Sequence, residues 1–439
     1  MTKIKRQAVI VIHGMGEQRP TDTLRSFVDG VKWQMEQNDP YEVIAKVRSK
    51  PDSIGDIYET VRLSMESNFK AGRPITDFYE FYWAHNMRGT TFGNMSAWLK
   101  QVVFVRVGKV PQHLQKIWWT IWGIFIVGIA ISLLVAQFLD LSAMQKALFA
   151  FFGGSIVSFI IGLITAFLKD SFLNSLGDVA RYMTPEPNNI KDRSEIRQQG
   201  INFLKKLHAV NNRTRPERII VVAHSLGSVV AYDLLRLLWT EYNTQYTTLP
   251  TNGQPMLDNV NTFSVNPQTI AGNFSTFTDA QHDYWKEARA LGNPWLITDF
   301  ITLGAAVNSL DYFMVNKVPI KKLIEQREIP VCPPEIDAKD QKIHYPGDIE
   351  LNDKLIPKSI AVPHHGALFA MVRWTNIYYS SDFVGGPAQR VFGSGVADIK
   401  IDRKSKLWCY PGGHTDYWTP GKDKQALVKI VSAMDLQAN

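Results

Sequence analysis

The chain has 439 residues, of which 48 are basic and 41 acidic, for a formal net charge of +7. That length exceeds one catalytic domain and leaves a surplus to be placed elsewhere. So modest a basic excess, without a basic–aromatic patch, argues against nucleic acid as a partner, yet draws a soluble surface toward anionic lipid headgroups. Two cysteines, Cys332 and Cys409, make no disulfide framework, which fits a reducing compartment.

Taken in chain order, residues 1–6 run directly into an apolar strand over residues 8–12, so no secretory leader is expected. The strand ends in His13-Gly14-Met15-Gly16, where the glycines allow close backbone approach. A helix is expected near residues 23–37 and a strand near 76–84. Residues 101–116, with Val102, Val103, Phe104 and Val105 beside basic side chains, read as an amphipathic approach to a bilayer.

Residues 117–139 and 147–168 hold no charged side chain. Each run is about 22 residues, or roughly 33 Å as helix, against a hydrocarbon core of about 30 Å. The link between them, residues 140–146, is short, so the pair reads as a transmembrane helical hairpin. Trp118, Trp119 and Trp122 cluster at one end as an interfacial belt would. Gly128, Ser132 and Ala136 recur every fourth residue, as do Gly154, Ser158 and Gly162, and such faces let helices approach closely in lipid. A fully buried soluble helical pair and a hairpin dipping into one leaflet are the alternatives. Lys100, Arg106, Lys109 and Lys116 precede the first run and Lys169 and Arg181 follow the second, while the link offers Lys146 against Asp140. The positive-inside rule then puts both hairpin ends in the cytoplasm.

Helices are expected over residues 172–183 and 192–210. Residues 218–222, RIIVV, read as a buried strand because β-branched residues run on without polar alternation. Ala223-His224-Ser225-Leu226-Gly227 follows, and residues 228–238 switch to helical spacing. A serine on the sharp turn between a strand and a helix is held in a strained, exposed conformation. Residues 241–280, rich in Thr, Asn, Pro and Gly, read as loop or cap. Residues 316–360 read similarly, since six prolines exclude long helices. Residues 295–304 and 372–378 read as strands. Asp382 lies on the loop after the latter, and His414 lies in a glycine-rich turn shortly before the last helix.

These features resemble the lipase and esterase branch of the α/β-hydrolase family. His13 to Gly16, the Ser225 turn, Asp382 and His414 carry the likeness, with Ala223 standing where the family usually has glycine. The resemblance implies an α/β fold with a mostly parallel central sheet, to which the sequence adds the inserted two-helix transmembrane hairpin and a loop-rich cap. Residues 1–110 would form the first part of the hydrolase domain, 111–170 the hairpin, and 171–439 the second part. It also implies Ser225 as nucleophile, His414 as base and Asp382 as the acid that orients the imidazole. The N–H groups of Met15 and Leu226 would bind the oxyanion, supported by His13, Gly14, Gly16, His224 and Gly227. Asp299, Asp311, Asp398 and Asp416 are rival acids, and His344, His364 and His365 rival bases. No carboxylate or cysteine stands at ligand spacing from the adjacent histidines, so neither metal nor cofactor is expected.

The expected activity is that of a membrane-anchored serine hydrolase on the cytoplasmic side, cleaving esters of lipid, phospholipid or other hydrophobic acyl substrates. An esterase or thioesterase for soluble acyl substrates and a non-enzymatic membrane scaffold are the alternatives.

Overall fold

The structure, a computed structural model, describes residues 4–14, 19–38, 46–55, 57, 59–66, 73–87, 104–137, 142–146, 181–183, 187–209, 215–313, 318–351, 354–382, 384–403, 412–421 and 424–436. In chain order, β1 (Arg6–Ile12) leads to α1 (Asp22–Asn38), followed by β2 (Lys46–Pro51), β3 (Val61–Glu66) and β4 (Ile75–Phe81). Then come α2 (Gln112–Gln137), α3 (Pro187–Ala209), β5 (Arg218–His224) and α4 (Gly227–Tyr242). The second half contributes α5 (Pro255–Val265), α6 (Phe274–Ala290) and β6 (Ile297–Leu303). It closes with β7 (His344–Leu351), β8 (Lys354–Pro363), β9 (Arg373–Tyr379), β10 (Val396–Ile401) and α7 (Lys424–Met434).

One eight-stranded sheet runs in the order β10-β9-β6-β5-β1-β4-β3-β2. From β10 to β4 every neighbour is parallel, and β3 and β2 are added antiparallel at one edge. The central strands are apolar on both faces because both faces are covered. Ala8, Ile10, Ile12, Ile219 and Val221 pack with residues of α3 and α4, whereas Val9, Val11, Ile220 and Val222 pack with α1 and α7. The fold class is thus mixed α/β, with a large and mostly parallel sheet.

Two expectations are corrected. Residues 241–280, read as loop, contain α5 and the first two turns of α6. Pro255 opens α5 at its first turn, where a missing N–H does no harm. Leu257, Val260 and Ser264 are its buried positions, and Pro, Asp, two Asn, Thr and Ser scattered through the helix make the sequence read as loop. Residues 316–360 do lack long helices, but they fold into a short helix over Ile320–Glu325 and the β7–β8 hairpin. The segment is therefore less loop-rich than its prolines suggest.

Among the described residues one helix, not two, is long and apolar enough to cross a membrane, over Trp118–Gln137 of α2. The second uncharged run, 147–168, lies outside the described residues. Along α2, Trp119, Ile126, Val127, Ile131, Leu133, Leu134 and Val135 are exposed. Gly128, Ser132 and Ala136, the small residues at every fourth position, are buried. Of the expected amphipathic approach, Val102 and Val103 lie outside the described residues, Phe104 is exposed, and a single 3-10 turn spans Val107–Lys109.

Candidate active site

Parallel strands put their carboxyl ends at one edge of the sheet, and the candidate residues leave from that edge. Ser225 is the first residue past β5, and its φ of +53° lies in the left-handed region that a non-glycine residue rarely enters. The turn is fixed on both sides. Ser225 N–H donates to the Leu303 carbonyl (3.0 Å). The Ser225 carbonyl accepts from Ser228 Oγ (2.6 Å), Ser228 N–H (3.0 Å) and Ala306 N–H (3.2 Å). Gly227 must lack a side chain, because a Cβ there would overlap the carbonyl oxygens of Ile12 and His13. Leu226 is fully buried, and among the described residues no acceptor takes its N–H.

The Ser225 hydroxyl donates to His414 Nε2 at 2.8 Å. On the other side of the ring, His414 Nδ1–H donates to Asp382, with both carboxylate oxygens at 3.0 Å. An Nδ1 proton held by a carboxylate leaves Nε2 with its lone pair toward the serine. All three side chains are buried. Asp382 is held in turn by Val384 N–H (2.8 Å) and the Tyr417 hydroxyl (2.7 Å), and Tyr417 accepts Tyr379 N–H (3.1 Å). Burial pushes the Asp382 carboxyl up, but the His414 charge and the three donors outweigh it, so the carboxyl stands below its ordinary range.

Gly304, just past β6, fills the space behind this pair. It has φ of +51°, and a Cβ would stand 2.6 Å from Asp382 Oδ2, 2.8 Å from Tyr417 Cε2 and 3.1 Å from His414 Nδ1. His224 Nε2–H donates to the His414 carbonyl (2.7 Å), so it braces the loop and leaves the serine alone. Burial, then the neighbouring His414, lowers the His224 pKa to about 3, which keeps it neutral.

At the end of β1, the His13 ring lies parallel to Trp83 at 5.2 Å. Its Nε2 accepts Trp83 N–H (3.3 Å), its Nδ1–H donates to the Gly14 carbonyl (2.8 Å), and its own carbonyl accepts Trp83 Nε1–H (3.1 Å). Burial lowers its pKa to about 4, so it is neutral and its tautomer is fixed by these partners. A Cβ on Gly14 would stand 2.8 Å from Ser225 Cβ, so this backbone lies directly against the serine. Met15 and Gly16 lie outside the described residues.

The rival residues serve elsewhere. Asp299 pairs with Arg218 Nη2 (2.6 Å) and Arg373 Nη2 (2.7 Å), and its register opposite Ile220 puts it at the far end of the sheet from Ser225. Asp398 accepts the N–H groups of Ala388 and Gln389 (2.9 and 3.0 Å), and Asp416 pairs with Arg403 (3.0 Å). The side chain of Asp311 lies outside the described residues. His364 binds the Glu335 carbonyl (2.8 Å), His365 is exposed, and His344 stands on β7. No cluster of metal-binding side chains occurs among the described residues.

Tyr417, Gly304 and Trp83 are the supporting residues that sequence reasoning missed. Tyr417 stands three residues after His414, and an aromatic hydroxyl beside the candidate base was the available signal. No protein-family model matches the chain, and neither does any curated protein or solved structure.

Proposed function

We propose that the chain is a serine hydrolase of the α/β-hydrolase type that cleaves carboxylic esters of lipid or other hydrophobic acyl substrates through an acyl-enzyme. One observation carries the reading. A serine at positive φ on a strand–helix turn donates to an imidazole (2.8 Å) whose other nitrogen is held by a buried carboxylate. Ser225 Oγ attacks the ester carbonyl while His414 Nε2 takes its proton, and the imidazolium so formed is stabilised by Asp382. The N–H of Leu226 faces the developing oxyanion, and Met15 is the proposed second donor. One such donor is worth roughly 3–4 kcal/mol of barrier. His414 then protonates the departing alcohol, and water, deprotonated by the same nitrogen, releases the acid.

The membrane setting rests on α2, whose large side chains are exposed along Trp118–Gln137. A second span over residues 147–168 would complete a hairpin. Arg106 and Lys109 before α2 and Arg181 after the second run support, by the positive-inside rule, a catalytic domain on the cytoplasmic side. The test is Ser225→Ala in detergent-solubilised protein. Hydrolysis of p-nitrophenyl butyrate and labelling by a fluorophosphonate should both vanish while expression is unchanged. Labelling that survives would falsify the nucleophile.

A further inference from the structure

Three arginines stand together where α3 packs against α4, and they share one carboxylate. Arg197 Nε and Nη2 donate to Asp233 Oδ2 (3.1 and 2.5 Å), and Arg236 Nε donates to Oδ1 (2.8 Å). The Tyr182 hydroxyl also donates to Asp233 Oδ2, at 3.1 Å. Arg193, one turn before Arg197 on α3, lies over the same Tyr182 ring, with the two guanidiniums 5.6 and 5.9 Å from its centre. We propose that this cluster binds a phosphate-bearing anion, whose terminal oxygens bridge Arg193, Arg197 and Arg236.

Arg193 is the reason. Among the described residues no ion pair or hydrogen bond reaches it, and its Nε is buried without an acceptor. A half-buried charge without a counter-charge is costly and calls for one. Burial, then the Arg197 charge, pushes the Arg193 guanidinium below its ordinary range, so Asp233 does not compensate it. The neighbouring charges close on themselves, Arg181 with Asp192 and Lys205 with Glu241. Glu195 falls on the opposite side of α3 by the helical period, where it accepts Gln199 Nε2–H (3.4 Å). Three guanidiniums around the single Asp233 therefore leave a surplus of two positive charges.

The cluster is also reachable. The Arg197 and Arg236 side chains are 25% and 29% exposed, against 10% for Asp233, so the guanidiniums lie between the carboxylate and solvent. Surplus charge and donor shape together select the anion. Each guanidinium presents a planar fork that fits two phosphate oxygens. A phosphomonoester brings a charge of about −1.5 to −2 and three acceptor oxygens, which matches the surplus, whereas a carboxylate neutralises half of it.

Its position adjoins the serine relay. The Tyr182 ring is 6.4 Å from Trp83, Trp83 stacks on His13 at 5.2 Å, and Gly14 packs on Ser225. Asp233 stands about 9 Å along α4 from the end that carries the serine turn. The phosphate could come from a phospholipid headgroup or from a free phosphomonoester, and binding itself does not depend on the hydrolase reading.

The experiment is calorimetric titration of the full chain in detergent with glycerol 3-phosphate, against sodium acetate at equal ionic strength. Saturable binding of the phosphate is expected, at least tenfold tighter than acetate and at least tenfold weaker in Arg193→Gln. That substitution removes no described ion pair, so the variant should keep the parent's melting temperature and its hydrolysis of p-nitrophenyl butyrate. Arg193→Lys, which keeps the charge and loses the fork, should fall between the two. The Ser225→Ala chain should bind as the native chain does, so loss of hydrolysis and loss of this site are read separately. No saturation, equal binding of acetate, or undiminished binding in Arg193→Gln overturns the proposal. Dihexanoyl phosphatidic acid separates the sources. Binding at least tenfold tighter than glycerol 3-phosphate, with the excess lost in Arg193→Gln, identifies a lipid headgroup. Equal binding, or an excess that survives the substitution, identifies a free phosphomonoester.

Discussion

Replacing Asp382 by Asn tests the relay at its most informative atom. The carboxylate accepts from three directions: Val384 N–H at 2.8 Å, Tyr417 hydroxyl at 2.7 Å and His414 Nδ1–H at 3.0 Å. An amide has one acceptor oxygen and two N–H donors. Val384 N–H demands the oxygen at Oδ1, which puts the NH₂ in place of Oδ2, facing Tyr417 and one of the two branches of the His414 Nδ1 bond. An N–H facing Nδ1 stabilises the imidazole tautomer protonated on Nε2, the one that cannot accept the Ser225 proton. The shape of the site is preserved while its proton inventory is reversed. A tautomer error of this kind lowers kcat by about 10⁴-fold, or about 5.5 kcal/mol of barrier. Stopped and continuous p-nitrophenyl ester assays of Asp382→Asn, with Ser225→Ala as the blank, measure it. Circular dichroism and thermal melting should match the parent. A kcat within tenfold of the parent would refute the assignment of Asp382, because no other described acid reaches His414.

Three further outcomes follow from the same geometry. Gly304→Ala should lose at least a hundredfold in kcat, since its Cβ would press on Asp382 Oδ2 (2.6 Å) and His414 Nδ1 (3.1 Å), and destabilise the fold by about 1–3 kcal/mol from the positive φ alone; equal kcat at reduced melting temperature would confine the residue to folding. His208 is buried with its pKa lowered to about 4, so between pH 6.5 and 4 the unfolded chain binds a proton that the folded chain refuses; urea midpoints should fall as pH drops through that window, and His208→Gln should flatten the fall by up to about 3 kcal/mol. Glu80 has the opposite sign. Its pKa is raised to about 7, so the folded chain keeps a proton that the unfolded chain has lost above pH 4.5. Stability therefore declines as pH rises from 4.5 to 7, and Glu80→Gln should be the more stable form at pH 8 by up to about 3 kcal/mol, with no advantage at pH 4.

Much of this architecture is readable from the chain because buried parallel strands have a strong signature. Residues 8–12 and 219–222 are apolar without interruption, residues 295–304 are broken only by Thr298, Asp299 and Thr302, and each run became a central strand. The antiparallel edge was not readable. β2, KVRSKP, is largely exposed, and its basic residues blunt a free sheet edge just as they erase any hydrophobic pattern. α5 hides for a related reason, since a helix burying only Leu257, Val260 and Ser264 needs little apolar sequence. At the site, Ser225 and His414 are marked by their turns. Asp382 was one aspartate among five, distinguished by its position after a late strand, and only contact geometry separates it from Asp299. Gly304 and Tyr417 act by occupying or closing space, which leaves no pattern in a single sequence.

The convergence of residues so far apart follows from the parallel register itself. His224 pairs with Leu303 across β5 and β6, and Leu303 pairs with Ile377 across β6 and β9. The chain therefore leaves β5 and β6 at the same height and β9 two residues further on. Ser225 comes immediately after the first, Gly304 immediately after the second, and Asp382 three residues after the end of the third. Lateral spacing of about 4.8 Å per strand then puts serine and carboxylate about two strands apart, a gap one imidazole ring spans with a hydrogen bond at each nitrogen. His414 supplies that ring, and His224 fixes its depth through the His414 carbonyl (2.7 Å). Hence Gly304 is the smallest residue of the group for a mechanical reason. It occupies the strand between the two partners, where any side chain would stand in the path of the ring.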